Sequence, residues 1–191
     1  MSYYDTPTKV LHKGMALTVV VQVGLSLFMQ HPKPNVVRDP LALQLFDAHE
    51  WVGIAATLIV LAHVTYSLMC SGHASWRTLL PWLTSDGRSQ LGKELGQVSS
   101  WFSKGLPHPD ASHALASTIH GFGLLAVLMQ GFTGVCIFLG MAEDGTVTEG
   151  VHDVMELHEG IGMFIIAYLL LHVAAAIWHQ KQGHDVISRI K

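Results

Sequence analysis

Four long stretches of the chain are almost continuously apolar, and polar residues collect between them. They run at about 9–29, 48–70, 114–139 and 157–178. Roughly 20 apolar residues suffice for a helix to cross a bilayer, so each stretch is predicted to be a membrane-spanning helix. Their ends carry signals. Thr6-Pro7 reads as the N-cap and first-turn proline of the first helix, Asp47 as the cap of the second, and Asp110 or Ser112 as the cap of the third, which Gly140 should stop. The first stretch lacks a small-residue cleavage site and leads into another span, so it is not read as a secretion signal. The fold class that follows is all-α, an integral-membrane four-helix bundle forming one domain over 1–191. The connection 71–111 holds Trp76, Trp82, Trp101 and Phe102. Around Leu91–Phe102 it reads either as a short amphipathic helix on the membrane surface or as a plain linker with anchoring aromatics.

Charge sets the orientation. Lys9 and Lys13, then Arg77, Arg88, Lys93 and Lys104, then Lys181, Arg189 and Lys191 all fall on one side of the alternation, nine in total. Only Lys33 and Arg38 fall on the other. The excess of positive charge marks the cytoplasmic side, which places both termini and the 71–111 loop there. The chain would thus cross its membrane several times. The opposite loop is acidic, with Glu143, Asp144, Glu149, Asp153 and Glu156. Overall, 50% of residues are hydrophobic and 13% charged, against about 25% charged in an ordinary soluble domain. A net charge of −3 without a basic run gives no reason to expect nucleic acid as a partner.

Histidine changes the picture. Thirteen histidines outnumber the eleven lysines and arginines, and several recur in register. The second span reads His49-Glu50-Trp51-Val52-Gly53 and then His63-Val64. The fourth reads His158-Glu159-Gly160-Ile161-Gly162 and then His172-Val173. The offset is 109 residues. The first and third spans correspond at an offset of 108, through His12 and His120, Gln22 and Gln130, Leu17 and Leu125. One helical hairpin, doubled, accounts for the pattern. Repeats of equal orientation are related by an axis along the membrane normal.

The spacing then suggests chemistry. Fourteen residues make about 1,400° of helical rotation, some 40° short of four turns, and rise about 21 Å. Two histidines so spaced share a face, one near each leaflet. His49 and His158 fall at the outer level, His63 and His172 at the inner level. Paired imidazoles at one depth are what bis-histidine ligation of a b-type haem needs. Gly53 and Gly162, four residues past the outer pair, leave room for a flat macrocycle. Ligands fourteen residues apart cannot share one tetrahedral zinc ion. No CxxCH occurs, so a covalent c-type haem is excluded, and Cys70 and Cys136 sit at opposite ends and cannot pair. The inner level has three readings: His63 with His172; His12 with His172; or His12 with His172 together with His120 and His63. The first two give two haems per chain and the third gives three.

At these residues the chain resembles the prokaryotic cytochrome b561 family, which includes the membrane cytochrome b subunits of nickel-iron hydrogenases and formate dehydrogenases. The resemblance runs from about Lys9 to Gln180. It rests on His12 opening the first span, His49 at the outer end of the second, and His158 and His172 in the fourth. It implies an outer haem on His49 and His158, an inner haem on His12 and His172, and electron exchange with a quinone near the inner haem. The chain departs at His63, where many members carry arginine or an apolar residue, and at Lys13, where tryptophan is common. Candidates for quinone contact are His113 and His179, with Gln130 and Trp178 as helpers.

The function expected is a membrane b-type cytochrome that carries electrons across the bilayer between a periplasmic redox protein or dehydrogenase subunit and the quinone pool. That makes it an electron-transfer subunit rather than a self-sufficient enzyme. The acidic outer loop would suit a basic partner, membrane lipid surrounds the bundle, and self-association into a homo-oligomer is compatible with it. Two other classes compete. A standalone superoxide:quinone oxidoreductase would need no partner. A non-redox haem sensor would need an open iron position, which two histidine ligands deny.

Overall fold

The computed structural model describes residues 4–30, 39–109, 114–142 and 146–190. Among them there is no strand, and the long helices are α1 (Thr6–Ser26), α2 (Pro40–Met69), α6 (Ala114–Gly140) and α7 (Glu149–Lys181). Between α2 and α6 lie α3 (Trp76–Leu79), a 3-10 turn (Pro81–Leu83), α4 (Ser85–Leu95) and α5 (Val98–Lys104).

Among the described residues, three helices, α2, α6 and α7, are long and apolar enough to cross a membrane. Only 22, 11 and 6% of their apolar segments are buried in the protein, so most of their Leu, Ile, Val and Phe side chains face outward. Phe132 is 63% and Leu171 is 72% exposed. Such surfaces need hydrocarbon around them. The chain is a membrane protein. Of the four expected spans, α1 is the one not among these three. α1 has 21 residues, but Lys9, His12, Lys13, Thr18 and Gln22 dilute it.

The helix ends correct several expectations. Helix α1 begins at Thr6, and its cap is Asp5, whose Oδ1 accepts the Thr8 N–H at 3.0 Å. Asp47 is not a cap. It lies inside α2, which starts at Pro40 with Asp39 before it; Asp39 Oδ2 accepts the Ala42 N–H at 3.4 Å. Proline at a first helical position has no N–H to lose and its φ is already set. Helix α7 starts at Glu149 rather than near Leu157, and Thr148 caps it through the Val151 N–H. Gly140 does close α6. Asp110 and Ser112 lie outside the described residues. The start of α6 is held from a distance instead: Glu94 of α4 accepts the Ala114 and Leu115 N–H groups, one per oxygen, at 2.9 and 2.8 Å. The amphipathic segment at Leu91–Phe102 is two helices, because α4 ends at Leu95 with Gly96 as its C-cap.

Contacts divide the chain into two compact units. One comprises 1–12, 63–125 and 168–191. In it, the Tyr66 hydroxyl donates to Asp5 Oδ2 at 2.6 Å, and Trp82 stacks on Phe122 with ring centres 4.7 Å apart. Gly121 lets the Leu79 carbonyl and the Trp82 ring lie directly on α6; a Cβ there would collide with both. The Gln182 side chain accepts the Leu106 N–H at 3.0 Å, and the Arg189 guanidinium donates to the Pro109 carbonyl at 3.1 Å. The second unit comprises 13–62 and 126–167. There, Thr57 of α2 lies so close to Gly131 of α6 that a Cβ at Gly131 would stand 2.6 Å from its hydroxyl.

Candidate functional site

The second unit holds a cavity of about 380 Å³. Helices α1, α2, α6 and α7 all line it, with Val19, Ile54, Val127 and Ile166 among its apolar walls. His49 and His158 face each other in it, their ring centres 6.3 Å apart and their planes at 76°. A histidine nitrogen lies about 2.0–2.1 Å from a bound metal, and the ring centre about 1.1 Å further on, so two imidazoles on opposite sides of one ion have centres roughly 6.2–6.4 Å apart. The pair stands at the separation that two trans ligands of one iron require.

Glycines let the neighbouring side chains close in around this cavity. Gly53, Gly131, Gly134 and Gly162 all line the cavity. A Cβ at Gly53 would press on Gln22 Nε2 at 2.6 Å, one at Gly162 would meet Gln130 Nε2 at 3.4 Å, and one at Gly134 would meet His158 Cε1 at 3.2 Å. The two glutamines, matched in the repeated pattern, thus hold matched places against the two matched glycines. Gln22 Nε2 donates to the His49 carbonyl at 2.9 Å. The side-chain oxygens of both glutamines are buried without a hydrogen-bond partner. Buried polar atoms of that kind mark a place that a ligand or water completes. No group of three or more His, Cys, Asp or Glu side chains that could hold a metal ion occurs among the described residues; axial ligation of a haem asks the protein for only two.

His158 has a hydroxyl partner on α6. Its Nδ1 lies 2.8 Å from Thr133 Oγ1, and that hydroxyl lies 3.0 Å from the carbonyls of both Met129 and Gln130. When Nδ1 holds the ring proton, Nε2 is left with the lone pair a metal takes.

The family model for prokaryotic cytochrome b561 matches residues 3–191. The chain belongs to the prokaryotic cytochrome b561 family. Nothing among the curated proteins or the solved structures matches it. As a cytochrome b561, it is a membrane b-type cytochrome of electron transfer, and b-type haem is the cofactor its family implies.

The remaining described candidates of this cytochrome b561 fall in the first unit. His120 and His172 meet edge to face with centres 5.2 Å apart, and Tyr168 stacks on His172 at 5.6 Å. His12 lies within electrostatic reach of His172 and His63, and His120 within reach of His172 and His12. His63 is 7% exposed, with Ser67 Oγ 3.4 Å from its Nδ1. His12, His63, His120 and His172 thus all lie in the first unit. The ring facing His172 is that of His120, at a distance about 1 Å short of what trans ligation needs. His113 lies outside the described residues. His179, in the last turn of α7, pairs Nδ1 to Nδ1 with His184 at 3.0 Å, and His108 sits against His184 at 4.9 Å.

Sequence reasoning missed Thr133, Tyr168, His108 and His184. The offset of 108 had singled out Gln22 beside Gln130, but nothing in the pattern marks Thr133.

Proposed function

We propose that the chain carries electrons across a bacterial inner membrane, between a periplasmic redox partner and the quinone pool, as a four-helix bundle with both termini in the cytoplasm. The observation that carries this reading is the His49–His158 pair, 6.3 Å apart across a glycine-walled cavity. Haem held there supplies a one-electron iron couple.

The protein's own residues do the rest. His49 and His158 would hold the haem with one ring nitrogen each, and two such ligands would leave no place for a gas or substrate. The apolar walls exclude water, which favours the less charged state of the site and moves its potential up. Gln22 and Gln130 supply buried polar oxygens to the cavity lining. A second haem is held by His172, with His12 or His63 as its partner. His179 and His184, joined nitrogen to nitrogen, can pass a proton and form the quinone-facing end. Glu149, Asp153 and Glu156, in the first turns of α7, give the outer face a negative charge that suits a basic redox protein.

The test is haem b per polypeptide, read by pyridine haemochrome on the purified protein. Two per chain are expected, and one after His158→Ala or His49→Ala. A colourless wild-type protein would sink the proposal. A ratio of three would bring His120 with His63 in as a further pair. His63→Ala then separates the inner ligands: an unchanged count names His12, and the loss of one haem names His63.

A further inference from the structure

The repeated pattern gives His49 and His158 the same place in their helices, and α6 brings a threonine hydroxyl to His158. Thr133 is 2% exposed, and its Oγ1 stands 2.8 Å from His158 Nδ1. The same oxygen lies 3.0 Å from the Met129 and Gln130 carbonyls, four and three residues back along the helix. A hydroxyl has one proton, and a threonine within a helix gives it to such a carbonyl. The hydroxyl lone pairs then point at Nδ1, which must be the donor. At the offset of 108 that relates α6 to α1, the residue matching Thr133 is Leu25, which has no hydroxyl. Next to Thr133, Gly134 lets the Cε1–Nδ1 edge of the ring lie against α6, since a Cβ there would stand 3.2 Å from Cε1.

We infer that Thr133 is the positioning residue of His158. It accepts the Nδ1 proton, which fixes the tautomer, leaves the Nε2 lone pair for the iron that a haem would bring, and would make this imidazole a stronger donor than it is without the contact. The inference rests on the haem reading above and deepens it. The direction of the effect follows. A more basic imidazole stabilises ferric iron more than ferrous iron, so losing the Thr133 contact raises the potential of that haem.

The test uses the full-length protein in detergent with Thr133→Val, Thr133→Ser and His158→Ala. The haem that disappears in H158A identifies the bands to follow. In T133V the midpoint potential of that haem moves up, and its transfer to excess apomyoglobin speeds about tenfold, the scale of losing an outer-shell partner. The other haem keeps its values, and T133S restores both. An unmoved potential with an unchanged transfer rate in T133V overturns the inference. So does a shift that T133S fails to reverse, since that would make Thr133 a packing residue alone. Should T133V fail to assemble, pulsed EPR of the oxidised wild-type protein decides. The remote nitrogen of His158 then shows the quadrupole coupling of a hydrogen-bonded imidazole, and the coupling of an unbonded ring overturns the inference. A wild-type protein without haem is a separate result, which removes the haem reading itself.

Discussion

Asp5 accepts the Thr8 N–H on one carboxylate oxygen and the Tyr66 hydroxyl on the other. One exposed side chain thereby caps α1 and ties it to α2 near their ends. Hydrogen bonds from Thr8 and Tyr66 hold the Asp5 carboxyl below its ordinary value, because they favour the charged form. A depressed carboxylate contributes stability that is fully present above its unfolded value and is lost as pH falls through its folded value. The first turn of α1 should therefore fray in acid, below the usual carboxylate range, and not near neutrality. Hydrogen-exchange protection of the amides at 8–10 measures this. It should hold from pH 7 down to about 4 and drop below that, while Asp5→Asn shows lower protection at neutral pH and no acid step. A wild-type loss centred near pH 6 would point to a histidine instead.

Glu94 acts at the scale of the element. Two of the four N–H groups that any helix leaves unpaired at its start are met at α6 by one carboxylate from another helix. The charge also sits where the helix dipole favours an anion. Glu94→Ala should cost about 1.5–3 kcal/mol, the range for hydrogen bonds to a charged group, and Glu94→Gln less. Unfolding in detergent, with exchange at 114–117 as the local readout, checks both. None of this was legible in the sequence, because a cap borrowed from twenty residues away leaves no local pattern. The apolar stretches did mark α2, α6 and α7, and Gly140 marked the end of α6. They misjudged the starts of α2 and α7: the first turns of α7, Glu149–Glu156, carry several charges beyond the apolar run, and α2 starts at Asp39 and Pro40 instead of at its internal Asp47. The site divides in the same way. His49, His158, Gly53 and Gly162 recur at one offset and could be read directly. Thr133 could not, because its contact depends on how α6 is rotated against α7.

Parity decides the topology of the whole molecule. Three strongly apolar helices would leave the chain ends on opposite sides of a membrane, while a fourth crossing brings them to the same side. The charges argue for the fourth, because Lys9 and Lys13 at one end match Lys181, Arg189 and Lys191 at the other, and positive flanks stay in the cytoplasm. Both lysines of α1 lie in its first two turns, from where their long side chains can reach back to the interface. Further along, Leu17 and Val20 are 66 and 54% exposed, a lipid-facing stripe, while Gln22 reaches the His49 carbonyl at 2.9 Å. A helix with an apolar outer stripe and a polar anchor on α2 is better satisfied in the bilayer than on its surface. Reporter fusions at each end settle the matter. A fluorescent protein should glow at both termini, and alkaline phosphatase should be inactive at both. Phosphatase activity at the N-terminus alone would leave α1 outside the crossing set, and would remove His12 from the inner haem in favour of His63.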